Sequence, residues 1–380
     1  MKKKYPVEKI EAGTTFTADV YVDAQNLLVP AGEPVRAKDL EGLKQWGILY
    51  VYSEGEQVDQ QTGKPKAQAN VKKGLAAFSD HKLYAEYASM VDRLKIILDK
   101  IAAAEKIEPK IVDKLAQEVL GLVRDRDAEL VSAILSSDMQ GYDHARAGIN
   151  CSILSVMIGQ ALKLPPHRLS HLAAGALLHD AGMLRLPEEL VSKKGSLSPE
   201  EAQKMRAHPL LSYRIITKEL QYPDDVGLVG LQHHERWDGG GYPRKSSGVD
   251  IDILARIASV ADAFEAMVSQ KPYRNSMIGY AAMKNLLSDN GRRFDPEVLK
   301  AFIRSMGIYP IGSLVLLNNA AIARVLETHA DAPLRPKIKI IVDEFGKHFK
   351  DDTGDVLDLL TEKSMFIARA IDPKELEIAS

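Results

Sequence analysis

Histidine and aspartate residues that could bind metal ions are concentrated in the middle of this chain. The sequence contains ten histidines, and seven of them lie between residues 144 and 234. Two are adjacent at the start of the stretch HHERWDGGGYP, residues 233–243, and another, His179, is followed directly by Asp180. Imidazole and carboxylate groups together suit divalent iron, manganese or zinc, whereas all-oxygen sites suit magnesium. These residues therefore indicate a transition-metal site with a glycine-rich loop beside it.

Two aspartates stand in apolar runs where a carboxylate is costly. Asp180 ends the run LAAGALLHD, and Asp262 ends the run ILARIASVAD, in which Arg256 is the only basic residue. Helical spacing would turn both carboxylates towards a core, where a charge is unfavourable unless it is paired or binds a metal. Together with five histidines, these two aspartates give more ligands than one ion needs, and their number suits two ions that share a carboxylate. The five histidines are His144, His179, His208, His233 and His234.

The alternative is that these seven residues occupy ordinary helix positions, with His–Asp pairs as caps or surface pairs. That interpretation is favoured for any one of them alone. His167 and His171 have no partner pattern, and His171 is interpreted as a core or helix-surface residue. For the whole set, with both aspartates in apolar runs, metal binding is the better explanation.

Composition limits the class of protein. A length of 380 residues suggests two or three domains, and 45% hydrophobic with 27% charged residues is typical of a soluble globular protein. The net charge is −2, and no run of Lys or Arg indicates a nucleic-acid partner. No secretory signal or membrane-spanning segment is evident. The single cysteine, Cys151, excludes an internal disulfide and any Cys-rich zinc site, so a cytoplasmic location is expected.

The pattern of apolar residues changes twice along the chain. Short alternating runs before residue 55 predict strands with one helix, and alternating runs after 308 predict a β-rich module. The region between them is helical, and Pro109 is expected to open one of its helices. Further helices are predicted at 144–163, 168–180, 199–220, 224–235, 252–268 and 278–289. Ser198 and Glu201 form a plausible capping box for the helix that carries His208.

The predicted fold is mainly α, with an all-α helical bundle between a small α+β module and a small β-rich module. The predicted segments are an N-terminal module (1–55), a linker (56–73), a helical connector (74–135), a metal-binding domain (136–306) and a β-rich module (307–380). Apolar stripes on the helices between 75 and 135 could mediate a homodimer. The more common outcome for such stripes is packing onto their own domain.

Several ordered motifs resemble the HD-GYP phosphodiesterases, a branch of the HD metal-dependent phosphohydrolases. The resemblance extends from about residue 138 to 305 and places the sequence GYP, residues 241–243, in the family's namesake loop. The other matching motifs are ALLHDAG at 176–182, LVSKKGSLSPEEAQKMRAHP at 190–209, ARIASVADAFEAM at 255–267, KPYR at 271–274 and FDP at 294–296.

The resemblance implies a cytoplasmic enzyme that hydrolyses the second messenger cyclic di-GMP to linear pGpG, GMP or both. One ion would be bound by His144, His179, Asp180 and Asp262. A second would be bound by His208, His233 and His234, with Asp180 bridging the two. Iron or manganese is expected rather than zinc or magnesium. Arg274 would contact a substrate phosphate, and Gly241, Tyr242 and Pro243 would lie in the loop at the substrate pocket. For Tyr242, a packed aromatic at a turn is the equal alternative.

Two of the departures from the family pattern bear on metal binding and catalysis. Members with three metals carry a Glu where this chain has Gln140, so two ions are predicted. The family lysine that donates to a substrate phosphate or leaving group is replaced by Met183, and Arg185 or Lys193 could take its catalytic role. The alternative function is therefore a catalytically weak cyclic di-GMP receptor or scaffold that uses the same pocket. In either case the N-terminal module could contact a protein partner.

Overall fold

The computed structural model divides into two compact units, Met1–Val71 and Lys72–Ser380. It describes residues 3–7, 10, 13–21, 27–35, 40, 43, 50–55, 57–58, 81–135, 143–193, 195–269, 277–349 and 353–372.

The first unit contains a small antiparallel sheet of four strands in the order β1-β5-β3-β4, and a separate pair of strands, β2 and β6. Phe16, Val20 and Val51 form part of its buried core. The strands are β1 (Lys3–Pro6), β2 (Thr15–Phe16), β3 (Val20–Tyr21), β4 (Leu27–Val29), β5 (Tyr50–Ser53) and β6 (Gln57–Val58). Strand β6 extends this unit into the segment predicted as a linker, and most of that segment lies outside the described residues.

The second unit begins with a helical region built around one large apolar core. Its helices are α1 (His81–Ala102), α2 (Pro109–Leu135), α3 (His144–Ala161), α4 (Pro166–Leu178), α5 (Glu188–Val191), α6 (Pro199–Met205), α7 (His208–Arg214), α8 (Asp224–Gln232), α9 (Ile253–Val268), α10 (Gly279–Ser288) and α11 (Pro296–Met306). Pro109 is the first residue of α2, as expected, because proline is tolerated where the N–H has no helical acceptor.

Helices α1 and α2 pack onto the same core as the helices that follow them. Leu94 of α1 and Val119 of α2 are fully buried in one cluster with Ile149 of α3 and Phe264 of α9. The Tyr87 hydroxyl of α1 also donates to the Asn150 side chain of α3 over 2.7 Å. Their apolar stripes are thus covered within the chain, and a homodimer stays a prediction.

The prediction of one continuous helix over 199–220 is wrong, because the helix breaks at Arg206 and Ala207. The capping box of Ser198 and Glu201 is present at the start of α6. Helix α6 then ends at Met205, and α7 begins at His208. Pro209 explains the break, since proline has no N–H for the Met205 carbonyl and its ring clashes with that carbonyl. A π-helical turn, Ile215–Glu219, follows α7.

The C-terminal part is a five-stranded antiparallel sheet in the order β10-β9-β8-β7-β11. Its strands are β7 (Leu314–Leu317), β8 (Ile322–Glu327), β9 (Lys337–Val342), β10 (Val356–Asp358) and β11 (Ile367–Ile371). Strand β9 alternates between half-buried and buried residues, as the period of two requires for a sheet with one covered face. The predicted fold class, a helical domain between two small modules with strands, is confirmed, while nearly all of the helix predicted in the N-terminal module lies outside the described residues.

Within the described ranges, no helix combines the length and the apolar character needed to cross a membrane.

Candidate metal centre

The candidate ligands meet around Asp180, which follows the end of α4. Its Oδ1 atom lies 3.3 Å from Nε2 of His208 and 3.5 Å from Nε2 of His233. Its Oδ2 atom lies 3.5 Å from Nε2 of His179, which is 3.7 Å from Oδ1 of Asp262. The two oxygens of one carboxylate therefore face two different groups of ligands.

The same backbone contact orients three of the histidines. Nδ1 of His179 donates to the Ala176 carbonyl over 2.7 Å, and Nδ1 of His233 donates to the Gly230 carbonyl over 2.9 Å. Each acceptor belongs to the last turn of a helix, where carbonyls lack a helical N–H partner. Nδ1 of His208 bonds the Met205 carbonyl in the same way over 2.8 Å. Because a carbonyl only accepts, Nδ1 carries a proton, so Nε2 of each ring faces Asp180 and presents a lone pair whenever that ring is neutral.

The charges of this cluster reinforce one another. Burial disfavours the imidazolium of His179, but Asp180 and Asp262 outweigh burial and raise the pKa of His179 to about 9. Burial alone would raise the pKa of Asp180, yet the facing histidines hold it well below its usual range. Burial lowers the pKa of His208. For His234, burial and repulsion by the charge of His233 together hold the pKa well below its usual range. Both carboxylates are thus ionised, and most of the lone pairs are available, at neutral pH.

The buried polar atoms of the cluster fit a metal ion. Among the described residues, Nε2 of His179, His208 and His233 and Oδ1 of Asp180 are buried without any hydrogen-bond partner. Buried polar groups are otherwise nearly always paired. Two ligands bound about 2.1 Å from one ion stand about 3.0–3.4 Å apart. The observed separations of 3.3–3.7 Å are close to this and too long for good hydrogen bonds.

The other predicted ligands lie on neighbouring elements. The ligand atoms of His234, His233, His208 and Asp180 all lie within 4.8 Å of one another. Asp262 is in the middle of α9, and His144 is the first residue of α3, which packs against α9. Side chains of Asp180 and Asp262 are 28% and 21% exposed, so they lie at an opening of the cluster rather than deep in a core.

The GYP loop folds back onto the histidines. The Tyr242 N–H donates to the His234 carbonyl over 3.2 Å, and the two rings lie 4.8 Å apart. A Cβ on Gly241 would come within 2.6 Å of that carbonyl and closer still to the Arg236 nitrogen. Only glycine fits there, so Gly241 allows the loop to close and Tyr242 to cover His234. Pro243 follows Tyr242 through a cis peptide bond.

The structure pairs the proposed catalytic cations with carboxylates outside the cluster. Arg185 lies in a 3₁₀ turn, Ala181–Arg185, and donates to Glu219 over 2.9 Å. Lys193 donates to both oxygens of Glu201 over 2.6 and 2.7 Å. Their catalytic roles stay predictions, as does the role of Arg274. Both Arg274 and Gln140 lie outside the described residues.

Sequence reasoning missed Arg206, which lies in the break between α6 and α7. Its guanidinium carbon lies 5.5 Å from the centre of the Tyr242 ring. The sequence signal that could have found it is Pro209. A proline there predicts a helix break just before His208, and Arg206 lies in that break.

Two family models match parts of this chain. Residues 129–298 match the family model of the HD domain, and residues 314–379 match a model described as a KOW domain associated with the HD domain. The predicted resemblance to the HD phosphohydrolases is confirmed by this match of residues 129–298 to the HD domain.

The relatives are phosphodiesterases of bacteria. A cyclic di-GMP phosphodiesterase of Pseudomonas aeruginosa is 30% identical over 243 residues, which are 64% of this chain and 58% of that protein. One of Borreliella burgdorferi is 28% identical and covers 62% of each chain. A 3′3′-cGAMP-specific phosphodiesterase of Vibrio cholerae is 30% identical over 127 residues, 33% of this chain and 24% of that protein. The chain thus spans less than two thirds of each of these relatives.

Proposed function

We propose that this chain is a metal-dependent phosphodiesterase that hydrolyses cyclic di-GMP to linear pGpG, GMP or both. The observation that carries the proposal is the Asp180 carboxylate, whose two oxygens face two groups of ligands with unpaired Nε2 atoms. The names of the relatives in Pseudomonas aeruginosa and Borreliella burgdorferi support the substrate.

We assign the ligands as follows. His179, Asp262 and His144 would hold one divalent ion, and His208, His233 and His234 a second, with Asp180 shared between them. Iron or manganese is the expected metal because the donors are mixed imidazole and carboxylate. Such ions supply activation of water and stabilisation of charge on the phosphodiester oxygens.

The residues of the chain supply orientation and charge. The Nδ1 bonds of His179, His208 and His233 hold three Nε2 atoms in fixed directions before any ligand arrives. Asp180 and Asp262 keep their negative charge at neutral pH and so offset the charge of two cations. The loop of Gly241, Tyr242 and Pro243 forms the rim on which we place the nucleotide.

The test is cyclic di-GMP turnover by protein purified without oxygen and loaded with ferrous iron or manganese, with products separated by chromatography. His179→Ala and Asp180→Ala should lose metal and turnover together, down to the level of metal-free protein. His167→Ala is the matched control, since His167 is exposed on α4, the helix that ends directly before His179. Turnover that survives chelation would disprove the proposal.

A catalytically weak receptor is the second candidate, and Met183 favours it. The thioether of Met183 has no proton for a leaving oxygen, and the two cations that could replace the family lysine are bonded to Glu219 and Glu201. In that case fully metallated protein would bind cyclic di-GMP without hydrolysing it. Met183→Lys separates the candidates: a large gain in turnover means that the natural protein is impaired, and no gain means that another group fills the role.

The remaining predictions accompany this proposal. We place the protein in the cytoplasm, treat residues 1–55 as a module for a protein partner, and retain the five predicted segments, with the helices of segment 74–135 packed onto the core of the metal-binding domain. A hybrid cyclic dinucleotide is the alternative substrate, because the Vibrio cholerae relative is named for cGAMP. Turnover of the two nucleotides measured side by side decides between them.

A further inference from the structure

Arg206 is an unpaired cation beside the candidate metal centre. Among the described residues, none forms a hydrogen bond or ion pair with its guanidinium, whose carbon is 5.5 Å from the centre of the Tyr242 ring. That ring lies 4.8 Å from the His234 ring and 6.4 Å from the His208 ring. The guanidinium is therefore one aromatic ring away from two proposed ligands.

The backbone fixes the position of Arg206. Its N–H donates to the Ala202 carbonyl over 3.0 Å and closes helix α6. The carbonyl of Met205, the residue before it, accepts the bond from Nδ1 of His208. Arg206 thus belongs to the same rigid break that orients His208, although its side chain remains exposed.

The contacts of Tyr242 indicate a binding role. Its ring packs against the His234 ring and lies beside the Arg206 guanidinium, so Tyr242 connects the ligand cluster to that cation. A guanidinium over an aromatic face keeps its N–H donors in its own plane, where an acceptor can meet them.

We propose that Arg206 recognises a guanine base of the substrate through two parallel hydrogen bonds to O6 and N7, with Tyr242 as its stacking platform. This inference rests on the proposed function, in which the scissile phosphate belongs at the metal ions. A guanidinium fork matches the O6 and N7 pair, and aromatic rings with Arg planes are a common way to hold an unpaired base. Arg206 is then a specificity-determining residue.

The experiment combines Arg206→Gln with cyclic di-GMP in which 7-deazaguanine replaces guanine, so that N7 becomes a C–H group. The Michaelis constant is measured for both proteins with both nucleotides, using the metal-loaded chain of 380 residues. Each change alone should weaken binding of the nucleotide, by roughly 5- to 150-fold for the loss of the Arg206 fork. The two together should cost little more than Arg206→Gln alone, because the bond to N7 can be lost only once.

Controls separate recognition from structure. Lys204→Gln removes a positive charge from the same helix and should leave all constants unchanged. Arg206→Lys keeps the charge but lacks the fork, so it should not restore affinity. Metal content and melting temperature should stay at wild-type values.

Two results would overturn the inference. The first is an unchanged affinity in Arg206→Gln. The second is a loss of affinity for the combined changes that equals the product of the loss from Arg206→Gln and the loss from the 7-deazaguanine nucleotide. The second would assign Arg206 to a phosphate or to a purely structural role. If the wild type shows no turnover, the same cycle is measured as dissociation constants by calorimetry. Failure of the proposed hydrolysis is thereby kept apart from failure of guanine recognition.

Discussion

Asp180 differs from Asp225 and Asp358, two described carboxylates that bond histidines directly. Asp225 is 2.7 Å from Nδ1 of His171, and Asp358 is 2.9 Å from Nε2 of His329, which are direct hydrogen bonds. Asp180 stands 3.3–3.5 Å from three imidazoles and bonds none of them. A carboxylate that only needed a partner would close these gaps. The spacing is that of ligands around a common ion.

Proton release on metal binding follows from His179. In metal-free protein its pKa is raised to about 9, so at pH 7.5 the ring is protonated and must lose that proton to become a ligand. His208 and His234 have lowered pKa values and are already neutral. These three residues should together release close to one proton when the protein is loaded with manganese at pH 7.5. Apparent metal affinity should rise with pH and level off above about 9.

The measurement is calorimetric titration of manganese in two buffers that differ in ionisation enthalpy. The difference between the observed heats gives the number of protons released. In His179→Ala the release attributed to this residue should be absent. Wild-type binding without proton release at pH 7.5 would show that His179 is not a ligand or is neutral in the metal-free protein.

Helix ends determine where the ligands lie, and the sequence predicted them unequally. Helices α3, α4, α8, α9 and α10 begin and end within three residues of their predicted bounds, because long apolar periodicity locates them well. The break before His208 was missed although Pro209 marks it. The contact of Tyr242 with His234 had no sequence signal of its own. It depends on the close approach of Gly241 to the backbone of residues 234–236, which a sequence pattern does not show.

Close packing between the 3₁₀ turn Ala181–Arg185 and α7 holds Asp180 near His208. A Cβ on Gly182 would lie 2.1 Å from the His208 carbonyl oxygen and 2.6 Å from the Ser212 nitrogen. Since both are backbone atoms, Gly182→Ala must push α7 away from the turn. We expect a loss of about 1–3 kcal/mol in stability and weaker binding of the ion held by His208. Urea denaturation and metal analysis after dialysis measure the two effects.

Gly121→Ala is the matched control for this substitution. Gly121 lies within α2, and an added Cβ there meets no atom within 4 Å. It should therefore stabilise the protein by about 0.5–1 kcal/mol, as alanine does in a helix, and leave metal content unchanged. Full metal retention in Gly182→Ala would mean that the approach of the turn to α7 does not position His208.

At the scale of the whole molecule, changes in periodicity predicted three regions. They did not predict which helices share one hydrophobic core. The connector helices were predicted as a segment separate from the metal-binding domain. In the structure, Tyr87 and Leu94 of α1 are buried in the core that also contains Ile149 and Phe264. Periodicity shows that a helix has an apolar face, but it does not identify the face that covers it.

Two deletions test this division. Removal of residues 1–71 takes away a unit whose buried residues, such as Phe16 and Val51, form a cluster of their own. Metal content and the melting temperature of the remaining chain should therefore stay as in the chain of 380 residues.

Removal of residues 1–107 also takes away α1, which exposes the core beside Leu94 and leaves Asn150 without the Tyr87 hydroxyl. This shorter chain should be several kcal/mol less stable, because a whole buried helix face is lost. Differential scanning calorimetry with metal analysis compares the three chains. Equal stability of both shortened chains would show that α1 is a separable connector and not part of the metal-binding domain.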